Sequence, residues 1–138
     1  MTGDAARGYL VFAQQREAAV DLGAWDAHAR RFFGASLSRD DDGRLVLTPG
    51  GARTATARPR TGADLALADA AEARAGGGGL ATLARRCPTV WLVAREGDDD
   101  AVALRLAAIL ASVLLGPIVD ARGPDIFGVK TARAKLET

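Results

Sequence analysis

In 138 residues the chain has one cysteine, Cys87, and one histidine, His28. A single thiol excludes an intramolecular disulfide and a multi-thiolate zinc site, and one imidazole with no second histidine argues against a metal cluster. Aromatic residues are scarce, at 5%. No charge of one sign predominates: the formal net charge is +1, too little to make nucleic acid or an acidic membrane the default partner. The one candidate for a membrane span, Ala101 to Leu115, falls short of the ~20 apolar residues a bilayer core requires and carries Arg105 inside it. Met1 to Arg7 contains Asp4 and no apolar core, so no signal peptide is expected and a cytoplasmic location is.

The length is that of one domain, 1–138, and 49% hydrophobic with 25% charged residues is the composition of an ordinary folded domain. Alanine is abundant and arginine far outnumbers lysine, which points to a GC-rich, bacterial genome.

The most informative stretch runs from Thr89 to Asp120. Thr89 to Arg95 reads as a buried strand, Glu96 to Asp100 as an acidic turn, Ala101 to Leu115 as a helix apolar on nearly every side, and Gly116 to Asp120 as a second strand. Strand, helix and strand in about 30 residues predict a βαβ crossover onto a parallel pair. Upstream, Gly8 to Ala13 is a short apolar run expected to be a central strand. Gln14 to Phe33 has helical spacing, with Gly34 where a terminating glycine belongs and Gly23 as a weak point. Leu37 to Asp40 and Arg44 to Thr48 flank Asp41-Asp42-Gly43, a hairpin signal. Ala52 to Arg58 alternates only small and polar residues and is expected to be an edge strand. Ala63 to Ala75 and Leu80 to Arg86 predict a helix broken by Gly76 to Gly79. Ile126 to Lys130 reads as a last short strand, and Thr131 to Thr138 as a polar, frayed helix.

This order predicts an α+β fold: a ferredoxin-like βαββαβ sheet with an added C-terminal αβ extension and helices mainly on one face.

Several groups invite a chemical role. Cys87 and His28, with Asp21 or Asp26 orienting the ring, have the composition of a thiol dyad, but a cysteine between a helix end and an apolar strand is expected to be buried and inert. Gly76 to Gly79 lacks the preceding strand and the Gly-Lys-Ser/Thr ending of a phosphate loop. Asp40 to Gly43 resembles a calcium loop until its twelfth position falls on Pro49 instead of glutamate. Arg44, Arg53, Arg58 and Arg60 have no interleaved aromatics for nucleic-acid stacking. Asp98, Asp99 and Asp100 are explained by capping of the following helix, yet they stand at the strand end where open α/β sheets hold ligands, and are the small-molecule site the sequence offers.

The helix from 101 to 115 carries two apolar faces. A single sheet covers one, so Leu104, Ala108, Ala111 and Leu115 are expected to meet another helix or a second subunit. Taken together, these features predict a non-catalytic interaction or regulatory domain that self-associates as a homodimer or binds another protein, with no cofactor, metal, nucleic acid or membrane. The alternatives are a small-molecule sensor using the acidic end of the 89–120 unit, or a Cys/His enzyme.

Overall fold

The computed structural model describes residues 8–15, 20–48, 52–94 and 100–137. Seven strands form one sheet: β1 (Tyr9–Ala13), β2 (Ser36–Arg39), β3 (Leu45–Thr48), β4 (Ala52–Pro59), β5 (Thr89–Val93), β6 (Ile118–Asp120) and β7 (Asp125–Phe127). Their order is β2-β3-β4-β5-β1-β6-β7, and every neighbouring pair is antiparallel. Five helices flank the sheet: α1 (Leu22–Phe33), α2 (Gly62–Ala75), α3 (Leu80–Arg85), α4 (Asp100–Leu114) and α5 (Val129–Leu136). The fold is mixed α and β, as the sequence predicts.

The central strand β1 explains the architecture. Tyr9, Val11 and Ala13 face one apolar cluster with Trp25 and Ala29 of α1, Leu106, Ile109 and Leu110 of α4, and Ala132 of α5. Leu10 and Phe12 face a second cluster with Ala68 and Ala71 of α2 and Ala81 and Ala84 of α3. A strand buried on both faces reads as a continuous apolar run rather than an alternating one. Each fully buried Leu or Phe side chain contributes roughly 1.5–3 kcal/mol. Helices therefore cover both sides of the sheet, not mainly one.

Register splits the predicted parallel pair. Both β5 and β6 run antiparallel to β1, with Tyr9 opposite Val93 on one side and Asp120 on the other. They are thus parallel to each other, but β1 lies between them and they share no hydrogen bonds. The β2–β3 hairpin stands at one margin of the sheet, with β2 as the edge strand. Asp40 closes its turn by accepting from the amides of Asp42 and Arg44, and Gly43 supplies the left-handed residue at φ 79°. Strand β4, expected at an edge because its residues are small and polar, is an interior strand between β3 and β5.

Helix boundaries follow their caps. Asp21 accepts from the Ala24 amide and starts α1 at Leu22, later than the predicted Gln14, and Gly34 ends it at φ 63°. Thr61 and Asp64 form a reciprocal capping box that starts α2. The final segment, read as a strand followed by a frayed helix, is a short strand and a two-turn helix, α5, which starts at Val129 rather than Thr131.

Helix α4 is apolar all round because it lies between the sheet and two other helices. Leu104, Ala108 and Ala111 are buried within the chain, where α1 and α5 close over the face turned away from the sheet. Only Leu115, just past the helix, is exposed, at 62%. The surface predicted for self-association is therefore core at three of its four residues. No helix is long and apolar enough to cross a membrane among the described residues.

Candidate functional site: a cationic cleft between three helices

Cys87 and His28 lie on opposite faces of the sheet. Cys87 belongs to the cluster beneath α2 and α3, where its thiol donates to the Leu83 carbonyl at 3.4 Å. Burial pushes the thiol up to about 11, opposed in part by the Arg60 charge. His28 lies on α1, under which the other cluster is packed, and its Nε2 is 2.8 Å from Ser112 Oγ on α4. The thiol and the imidazole are separated by the sheet, so the two do not meet, and Cys87 is buried as its place in the sequence predicts. Asp26 is engaged elsewhere: it accepts from the Leu37 amide at 2.8 Å, from Arg30 and from Ser36, and these bonds hold its carboxyl below the usual range. That network ties α1 to the start of β2.

Two of the four arginines of the hairpin region have structural tasks. Arg58 pairs with Asp64. Arg60 donates to the carbonyls of Arg85 and Cys87, closing the end of α3. Asp98 and Asp99 lie outside the described residues, and Asp100 is the first residue of α4. Among the described residues no group of three or more His, Cys, Asp or Glu side chains could hold a metal ion.

A different set of residues converges where α1 ends beside α4 and α5. Phe32 and Phe33 occupy the last positions of α1 before Gly34 turns the chain away. Arg105 reaches the same place from α4, and Arg133, Leu136 and Glu137 reach it from α5 and its C-cap. Together they line an open cleft of about 180 Å³.

The cations are fixed against the rings. The Arg133 guanidinium lies over the Phe33 ring at 4.8 Å from its centre, and Arg31 lies over Phe32 at 5.0 Å. Such cation–π contacts hold a long side chain near an apolar surface while leaving its N–H donors available. His28 packs its ring 4.7 Å from that of Phe32, and its bond to Ser112 keeps α1 and α4 in register behind the cleft. Arg105 is half-buried and has no ion-pair partner among the described residues. Phe32 leaves 45% of its surface exposed.

The arrangement can hold an anion next to an apolar group. Sequence reasoning missed it because its residues come from three helices far apart in the chain. The available signal was Arg105 itself, the one charge in an otherwise apolar helix after its first residue, which reads at first as a break in the apolar coat. Compared with protein-family models, with curated proteins and with solved structures, the chain matches none.

Proposed function

We propose that this chain is a non-catalytic interaction domain that grips an anionic segment of a protein partner in the cleft between α1, α4 and α5. The observation that carries this reading is Arg105, a guanidinium with no ion-pair partner among the described residues, on a helix that is largely core, opening beside Arg133 and two phenylalanines. Glu137 lines the cleft too but makes no ion pair with Arg105, and a half-buried cation that no carboxylate contacts is costly unless a partner supplies one. The size of the cleft favours a protein over a free ligand. At about 180 Å³ it lies below the ~300–1,000 Å³ of sites that enclose small molecules, whereas a side chain borne on a larger surface needs only a shallow socket.

An array of acidic, neutral and basic peptides probed with the full chain tests the reading. Capture is expected to favour acidic peptides and to be lost in Arg105→Glu. Capture that ignores peptide charge, or survives the substitution, overturns it.

We infer further that β4, β5, β1 and β6 are a ferredoxin-like core into which the β2–β3 hairpin and the α2–α3 pair are inserted. The antiparallel order of these four strands supports this, as do two connections, β1 to β4 and β5 to β6, that each skip one strand. The alanine- and arginine-rich composition supports a bacterial source, and a single free cysteine is compatible with a cytoplasmic location.

A further inference from the structure

Resting on the reading of the cleft as a docking site, we infer the chemistry of its occupant: one carboxylate beside an apolar side chain, an Asp or Glu next to an aromatic or large aliphatic residue on the partner protein.

Charge balance selects the anion. The lining holds two guanidiniums, Arg105 and Arg133, and one carboxylate, Glu137, leaving one net positive charge. A single carboxylate neutralises that. A phosphate monoester, carrying close to two negative charges near neutral pH, would bring an excess charge against Glu137. The planar guanidinium fork also matches a carboxylate in two-point geometry.

The walls select the neighbour. Phe32, Phe33 and Leu136 present apolar surface beside the cations, and Phe32 is the most exposed aromatic of the described residues. A second polar group against these rings would lose water without gaining a partner. An aromatic or aliphatic side chain instead removes the exposed part of Phe32 from water. Arg133, held over the Phe33 ring, keeps the cationic and apolar parts adjacent, so the occupant must carry its charge and its apolar group adjacent as well.

The test is a titration of the isotope-labelled full chain, followed by amide and guanidinium resonances. The probes are acetyl-Glu-Phe-amide, acetyl-Gln-Phe-amide, acetyl-Glu-Ala-amide, phenylacetate and phenyl phosphate. Glu-Phe is expected to shift Phe32, Arg105, Arg133 and Leu136 saturably. Loss of either the carboxylate or the ring should weaken binding about fivefold, the upper end of what a solvent-facing ion pair contributes. Arg105→Gln and Arg133→Gln should each weaken it similarly while keeping the dispersed spectrum of the folded chain. Equal binding of Gln-Phe, or tighter binding of phenyl phosphate than of phenylacetate, overturns the inferred chemistry while leaving docking intact. Phenylacetate binding as tightly as the dipeptide assigns the site to a free carboxylate and overturns a protein source. If no acidic probe moves these resonances, the docking reading itself fails.

Discussion

Arg58 and Asp64 meet in two parallel bonds, Nη1 to Oδ2 at 2.5 Å and Nη2 to Oδ1 at 2.7 Å, with Asp64 only 3% exposed. The same carboxylate accepts from the Thr61 amide and completes the cap of α2, so one buried charge joins the end of β4 to the next helix. Burial pushes this carboxyl up, but the Arg58 bonds, the Thr61 amide and the guanidinium charge outweigh it and hold it below the usual range. A carboxylate with a depressed folded-state value contributes stability that is present above its unfolded value, about 3.9, and is lost as pH falls through the lower folded value. Asp64→Asn keeps the shape and the cap acceptor but strands Arg58. It should cost about 3 kcal/mol, the low end for breaking a buried pair because Arg58 retains access to water. Urea unfolding at neutral pH checks the magnitude, and acid titration should show a shallower loss of stability below pH ~4 in the variant.

Cys87 should resist iodoacetamide in the native chain at neutral pH and react promptly after denaturation. The thiol is fully buried and pushed up to about 11, so the reactive thiolate is scarce as well as shielded. Because the unfolded thiol ionises near 9.0 and the folded one does not, this group's contribution to stability is full below pH 9 and is lost as pH rises towards about 11. Mass spectrometry of alkylated protein with and without urea reads the first expectation directly. Labelling at equal rates in both states would contradict it.

Two glycines should respond to alanine in opposite ways. A Cβ on Gly116 would lie 1.8 Å from the Phe12 carbonyl oxygen and 3.1 Å from Cys87 Sγ, so backbone must move; we expect Gly116→Ala to cost at least ~2 kcal/mol. Gly23, in the first turn of α1, has nothing within 4 Å of its would-be Cβ, and Gly23→Ala should stabilise by roughly 0.5 kcal/mol through helix propensity. Thermal melts of the two variants should move in opposite directions.

Leu115 follows α4 at φ 61°, a left-handed conformation that costs a branched L-residue about 1–2 kcal/mol, and its side chain is mostly in solvent. Leu115→Gly relieves the backbone and sacrifices little burial, so it should raise stability by up to ~1 kcal/mol. A clear fall in denaturation midpoint would show that the exposed leucine contributes more than its contacts here indicate.

Local signals in the sequence were legible where one segment determines its own conformation. The Asp41-Asp42-Gly43 turn, Gly34 after α1 and the apolar run of β1 appear in the structure where the residues predict them. Pairings were not legible, because Thr89–Val93 and Ile118–Asp120 look the same whether they bond to each other or to a strand inserted between them. Strand β4 misled for a related reason: its small residues suggest a margin, yet partners on both sides place it inside the sheet. The cleft needs Phe32, Arg105 and Arg133 at once, and no local window contains them all. Residues 98 and 99, the predicted ligand-binding acids, lie outside the described residues.

The insertion of β1 between β5 and β6 has a consequence for the nascent chain. Tyr9 to Ala13 leaves the ribosome well before Val93 and Asp120, which flank Tyr9 in the sheet. Until then the most apolar strand has neither neighbour, and its free edges and both its faces are open to chaperones or to stray strands. The sheet closes around β1 only when β5 and β6 are both present, so its assembly is set by long-range pairing and should be slow.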